Sequence, residues 1–221
     1  MKHKIDLPDR PKISLFGCGG TGSHVLLGLP RAYKAITDLG GQGFHVNAYD
    51  PDKVESRNVG RQAFTLAEVG VNKSHALIDR INMYYRYNWH SHAEPAPAWS
   101  HADIIISCVD TGRSRKQIAE STMHGNPYII DCGNAKYSGQ VLIGRHEGEL
   151  TDPYKDNPEL MVEDTDEAPT CGDPYSEQDL FINQIIATYA LDFLWTLLHC
   201  EYLEKRGVFV DLKKGITNPL S

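Results

Sequence analysis

The sequence predicts an α/β fold: a mostly parallel sheet with helices on both faces, in one domain that carries a long acidic loop. Three observations predict it. Short apolar runs alternate with stretches of helical spacing through residues 12–148. The stretch "ISLFGCGGTGS" (13–23) climbs out of an apolar run into a glycine cluster and then a helical pattern. Two further apolar runs, "FHVNAYD" and "HADIIISCVD", each end on an aspartate.

In chain order, "KISLFG" (12–17) is brief, apolar and stopped by glycine, which predicts a buried strand. Residues 21–37 have helical spacing, and Pro30 is expected to kink or interrupt the helix. "GGQG" (40–43) predicts a turn and "FHVNAYD" (44–50) a strand. A polar loop follows, then a helix over about 73–86 and a weak strand near 91–97. "HADIIISCVD" (101–110) reads as a buried strand, and 111–125 as a helix stopped by Gly125. "PYIIDCG" (127–133) and "GQVLIGRHEG" (139–148) are strand-like. Residues 149–175 are acidic, proline-rich and without periodicity, as in a long functional or disordered loop. Residues 176–206 predict a long helix, opened by the Ser-x-x-Asp spacing of Ser176 and Asp179. Its apolar residues cover much of its circumference, so the sheet and a second subunit are both expected against it. "GVFVDL" (207–212) predicts a last strand, and the tail beyond it carries no signal. The organisation is thus a core at 12–148, an acidic loop at 149–175 and a helix with a terminal strand at 176–221.

A chain of 221 residues can bury a core without a disulfide or metal staple. The formal charge of −7 argues against binding a nucleic-acid backbone and leaves room for a basic protein partner. There is no apolar stretch of membrane-spanning length and no signal-peptide core in "MKHKIDLPDRPK", so a cytoplasmic protein is expected. Five single cysteines, Cys18, Cys108, Cys132, Cys171 and Cys200, make neither a disulfide frame nor a zinc clasp. Cys108 and Cys132 read as small core residues. His90, His92 and His101 lack a fourth organised ligand and read as structural.

The loop Gly17-Cys18-Gly19-Gly20-Thr21-Gly22 has the spacing of a phosphate cradle in a Rossmann-like fold. Gly17 permits a tight turn, Gly19 and Gly20 let backbone N–H groups approach a phosphate, and Gly22 allows close helix packing. Asp50, ending the second strand, is placed to accept hydrogen bonds from a ribose. A glycine cluster after a strand can equally be a simple turn, and this one alone does not separate a nicotinamide site from an ATP site. No G-K-[ST] closes it as a Walker loop. The residues that follow discriminate better. Asp52, Arg57, Asn58, Arg61, Gln62 and Lys73 gather just after Asp50, and three of them are cations. That charge suits a triphosphate. Asp110, at another strand end, adds a carboxylate for Mg²⁺.

In order, "GCGGTGS", "DPDKVESRNVGRQAF", "VGVNKS" and "IIISCVDTGRSRKQI" resemble the ThiF/MoeB family of the ubiquitin-activating-enzyme superfamily. "SGQVLI" is similar to one of that family's strands, and the likeness covers roughly residues 12–200. More narrowly, the chain resembles the bacterial ThiF-like members of PRTRC-type gene systems. The resemblance implies ATP-dependent adenylation of the C-terminal glycine carboxylate of a small ubiquitin-like, β-grasp protein by a homodimer. It implies that Gly20 and its loop neighbours hold the nucleotide and that Asp50 takes the ribose. Arg57, Asn58, Arg61 and Lys73 would line the phosphates, and Asp110 would position Mg²⁺ and the attacking carboxylate.

The chain departs from the family in places. The two C-x-x-C pairs of the bacterial members are missing, so no zinc is expected. No residue clearly matches the arginine that many members send into the partner subunit; Arg10 is the nearest. Cys171, in "APTCGDPYSEQDL", has the placement of a cysteine that takes the acyl group. A helix N-terminus would lower its pKa, and Asp173, Glu177 and Asp179 would raise it, so an acyl acceptor and a plain loop cysteine both stand. Two rival readings are a nicotinamide-dependent oxidoreductase and a catalytically silent partner subunit. The clustered cations and missing substrate domain count against the first. Arg61, Lys73 and Asp110 together favour an active copy over the second.

Overall fold

The structure, a computed structural model, describes residues 2–122, 125–162 and 179–220. An eight-stranded mixed sheet organises it. Five strands run parallel: β2 (Lys12–Phe16), β3 (His45–Tyr49), β4 (His90–His92), β5 (Ile104–Ser107) and β6 (Tyr128–Asn134). Three more, β7 (Ser138–Gly144), β9 (Gly207–Asp211) and β10 (Ile216–Leu220), extend the sheet antiparallel. The order is β10-β9-β7-β6-β5-β2-β3-β4. A separate two-stranded ribbon pairs β1 (His3–Lys4) with β8 (Tyr202–Leu203).

Strand alternation feeds two cores. Ile13 and Leu15 of β2, Ile104 and Ile106 of β5, and Tyr128 and Ile130 of β6 face the larger core. Phe16, Ile105 and Ile129 of the same strands face the smaller one. The larger core is covered by α1 (Gly20–Asp38), α2 (Lys73–Tyr85) and α5 (Ile182–His199). On the other face, Ile118 of α3 (Gly112–Ser121) and Tyr154 of the short α4 (Pro153–Asp156) close the smaller core. Helices thus lie on both faces of a Rossmann-like sheet, and strands buried on both sides read as apolar runs.

Several expectations are corrected. Pro30 does not interrupt α1: it is buried inside a helix that continues to Asp38. The long helix is not helical to 206. It stops at His199, because Cys200 turns extended and the chain leaves to form β8, where Ile5 N–H donates to Glu201 O. Its described start is Ile182, with no side-chain cap; Asp179 accepts from Phe181 N–H in the turn just ahead of it, and Ser176 lies outside the described residues. The acidic stretch is not wholly irregular: α4 and a 3₁₀ turn at Pro158–Met161 pack on the sheet and on α3. The tail forms β10, an edge strand that carries Pro219. No helix among the described residues is long and apolar enough to cross a membrane.

Candidate active site

The chain leaves β2 toward β3 and β4 on one side and returns to β5 and β6 on the other. Beyond the carboxyl ends of β2 and β5, at this switch in order, lies a cavity of about 500 Å³. Gly17, Gly19, Gly20 and Thr21 line it from the β2 side, Asp50 and Asp52 from β3, Cys108 and Asp110 from β5. Arg61, Gln62 and Lys73 close it.

The glycine loop has backbone reasons for its composition. Gly17 has φ +86°, and a Cβ there would come 2.7 Å from Cys108 O. A Cβ on Gly22 would lie 1.8 Å from Gly17 O, so the first turn of α1 can close on the loop only as glycine. Gly22 is packed beneath the loop rather than lining the cavity. Thr21 Oγ1 donates to Asn183 Oδ1 of α5 at 3.2 Å, and Asn134 Nδ2 donates to the same oxygen at 2.8 Å. The loop is thereby tied to both α5 and the end of β6.

Asp50 is buried, and its carboxylate accepts from Cys18 N–H at 2.6 Å and from Asp52 N–H at 2.8 Å. Burial nevertheless holds its pKa above the ordinary carboxylate value, against the pull of those N–H groups and Lys73. Asn72 caps α2 and donates to the carbonyls of Asp50 and Asp52, which fixes the strand end against the helix start. Lys73, the first residue of α2, is buried and donates to Asp52 Oδ2 at 2.9 Å.

Arg57 and Asn58 do not line the cavity. Arg57 pairs with Glu55 at 2.5 Å on the surface, and Asn58 accepts from Glu55 N–H to cap its own 3₁₀ turn. Asp110 is exposed at the rim. Cys171 lies outside the described residues. Burial pushes the Cys18 thiol well up. A hydrogen bond with Cys108, then burial, does the same at Cys132. Neither is suited to act as a nucleophile at neutral pH. Among the described residues no group of three or more His, Cys, Asp or Glu could hold a metal. Mg²⁺, which takes one or two carboxylates beside the phosphates, does not need such a group.

Sequence reasoning missed Arg115, Asn134, Asn183 and Tyr49, all of which line the cavity. Tyr49 was a foreseeable case, since it directly precedes Asp50. The others come from α3, β6 and α5 and meet the loop only through strand order.

Comparison with known proteins agrees with this architecture. A search of curated proteins finds no match. Among solved structures, the selenomethionine form of PaaA superposes with TM-score 0.69 at 18% identity, covering 96% of this chain and 64% of that one. E. coli MccB with ATP gives TM-score 0.64 at 17% identity, covering 96% and 63%. E. coli MccB with selenomethionine MccA gives 0.64 at 17%, covering 96% and 64%. The chain therefore spans under two thirds of the length of these neighbours, and at such identities they share its fold. The profile of the ThiF family matches residues 9–214, and the chain belongs to that family.

Proposed function

We propose that the protein activates a carboxylate by adenylation with ATP, and that the carboxylate is the C-terminal glycine of a small ubiquitin-like protein. The observation that carries this reading is one cavity bringing a glycine cradle, two cations (Arg61 and Lys73) and two carboxylates (Asp52 and Asp110) together at the sheet's switch point. The residues fit a nucleoside triphosphate: Gly19, where a Cβ would meet nothing within 4 Å, leaves room for a phosphate beside the loop backbone, and the N-terminus of α1 adds partial positive charge. ATP supplies the electrophilic α-phosphorus, and Mg²⁺ would neutralise its oxygens.

In this reading Asp50 holds the ribose and the loop N–H groups hold the phosphates. Lys73 supplies a point charge and Arg61 a planar fork where negative charge builds. Asp110, on the same cavity as Asp52, would hold the metal. A carboxylate oxygen bonds to the α-phosphorus as the bond to pyrophosphate breaks, and pyrophosphate leaves with the electron pair. Arg57 and Asn58 shape the loop that carries Arg61 rather than touching phosphate. The Cys171 thiolate would then attack the acyl carbon, forming a thioester as the bond to the adenylate oxygen breaks and AMP leaves. The solved MccB structures with ATP and with MccA support an ATP-using relative with a second bound partner.

The decisive experiment is calorimetry with ATP·Mg²⁺ and with NAD, followed by pyrophosphate exchange into ATP in the presence of a candidate β-grasp protein from the same genome. ATP should bind and exchange should depend on that protein. Binding of NAD with no response to ATP would overturn the reading. We also propose a homodimer, and light scattering should give twice the chain mass. Leu27 of α1 and Leu180 and Phe181 before α5 are exposed apolar residues available to such an interface.

A further inference from the structure

We propose that Cys108 and Cys132 are a reversible redox pair: hydrogen peroxide joins them in a disulfide across β5 and β6, against the glycine loop, and a small dithiol reopens it. This goes beyond the adenylation reading; only its effect on ATP rests on that reading. Register brings the two together. β5 and β6 pair in parallel with Ser107 opposite Asp131, so Cys108 and Cys132 follow as the next opposed residues. The Ser107 and Asp131 side chains bond at 2.8 Å on one face of the sheet. The cysteines, one residue on, share the other face, where both pack in the larger core. Opposed residues on neighbouring strands have Cα atoms about 4.8 Å apart, inside the roughly 4.4–6.8 Å window of a disulfide. Both thiols are free and already in hydrogen-bond contact.

Access to the two sulfurs is unequal, as such a pair needs. Cys108 lines the nucleotide cavity, which a small peroxide can enter, whereas Cys132 is 3% exposed. The Cys108 thiolate attacks one peroxide oxygen, the O–O bond breaks, and the leaving hydroxide takes a proton to become water. Cys108 is thereby oxidised to a sulfenic acid. The Cys132 sulfur then attacks the Cys108 sulfur. The S–O bond breaks, and the departing hydroxide takes the Cys132 proton as a second water. Two thiols and one peroxide thus give one disulfide and two waters. Burial keeps Cys132 from serving as a free nucleophile, but here its target is held against it, and contact replaces collision. Parallel neighbours present their side chains side by side rather than toward each other. A bond between them is strained and readily reduced.

The pair also sits where it can change the site. A Cβ on Gly17 would come 2.7 Å from Cys108 O, and one on Gly22 would come 3.2 Å from Cys108 Cβ, so the loop and Cys108 are interlocked. Cys132 is fixed inside β6, opposite Val141 of β7. Cys108 lies just past the end of β5, held by its N–H to Phe16 O at 2.8 Å. Closing the sulfurs to about 2.05 Å therefore draws Cys108 toward β6, away from the loop it packs on, and carries Asp110 with it.

The test treats the full chain with stoichiometric hydrogen peroxide. Its mass should fall by two hydrogen atoms, and peptide mapping without reduction should place the bridge at Cys108–Cys132. By calorimetry, the ATP affinity of this form should fall about tenfold, as a small displacement at a preorganised site commonly costs that much. Dithiothreitol should restore it. In Cys132→Ala the bridge should not form, and dimedone should instead trap Cys108 as the sulfenic acid. The mapping needs no variant, so it decides the matter even if Cys132→Ala misfolds. Absence of a bridge, or one from Cys108 to Cys18, Cys171 or Cys200, would overturn the pair. A mapped Cys108–Cys132 bridge with unchanged ATP affinity would overturn its effect on the site. A mapped bridge in a chain that binds no ATP even when reduced would overturn the adenylation reading and leave the pair standing.

Discussion

Lys73 Nζ donates to Asp52 Oδ2 across 2.9 Å, with the lysine side chain only 11% exposed and the aspartate 66%. The asymmetry matters. Removing the aspartate strands a buried ammonium, while removing the lysine leaves an exposed carboxylate that water can solvate.

Asp52→Ala is therefore expected to lower the melting temperature more than Lys73→Ala does. The order should reverse for chemistry. Lys73→Ala should cost about 2.7–4 kcal/mol in pyrophosphate exchange, the usual loss for one preorganised donor in a transition state. Saturating ATP should restore much of the stability of Asp52→Ala, because the phosphates replace the missing anion. Thermal melts with and without ATP check both statements. If the two variants melt alike, the pair is a surface contact with no consequence for the site.

The glycine loop separates fold from function at two positions. A Cβ on Gly22 would press 1.8 Å from Gly17 O, so Gly22→Ala must move the loop backbone and should cost about 3 kcal/mol or more. A Cβ on Gly19 meets nothing within 4 Å. Gly19→Ala should therefore keep wild-type stability yet weaken ATP binding, because the methyl projects where a phosphate would approach. Denaturant melts and calorimetry on the two variants distinguish these outcomes. Unimpaired ATP binding by Gly19→Ala would move the phosphates away from this loop.

Burial raises the pKa of Asp50, so its charge disappears at a higher pH than in an ordinary aspartate. The native state binds this proton more readily than the unfolded chain. Stability contributed through Asp50 is therefore greatest below the unfolded pKa and falls as pH rises through the folded value. Ribose binding runs the other way, since the ionised carboxylate is the better acceptor. The ratio of adenosine to 2′,3′-dideoxyadenosine affinity should fall as pH drops through a value above 3.8, the ordinary pKa. Asp50→Ala should set that ratio near one at every pH. A ratio independent of pH in the wild type would remove Asp50 from the ribose.

These predictions draw on residues of unequal legibility. The central parallel strands β2, β5 and β6 are plain in the sequence because burial on both faces makes them apolar runs, as in "DIIIS", whereas β4, His-Ser-His with no buried residue, gives little signal. Gly17, Gly22 and Asp50 are plain because their spacing is local. By contrast, β10 has almost no buried residue and exists through its pairing with β9, so its composition gives no signal. The end of α5 is hidden in the sequence because Tyr202 and Leu203 continue a helical spacing, while the competing partner, β1, lies some 200 residues away. Arg115 looks like one charge among several in "GRSRKQ"; only Asp131, in the next element, turns it inward. Arg57 is close to the site residues in sequence only, because Glu55 holds it at the surface.

The two chemical steps can be separated with variants at Asp110 and Cys171. Asp110 lines the cavity rim, so Asp110→Ala should abolish most pyrophosphate exchange if it holds the metal. Cys171→Ala should leave exchange nearly intact if that cysteine acts after adenylation. The same variant should lose a thiol-sensitive adduct with the ubiquitin-like protein on a non-reducing gel, and in the wild type that adduct should form faster as pH rises toward the thiol's pKa. The other cysteines limit the alternatives. Cys18 and Cys132 are buried with thiols pushed well up, which leaves Cys108 at the cavity and the exposed Cys200. An adduct that survives Cys171→Ala but disappears in Cys108→Ala would move the acyl acceptor into the nucleotide cavity. Collapse of exchange in Cys171→Ala, with ATP binding and folding retained, would instead place that cysteine in the adenylation step itself.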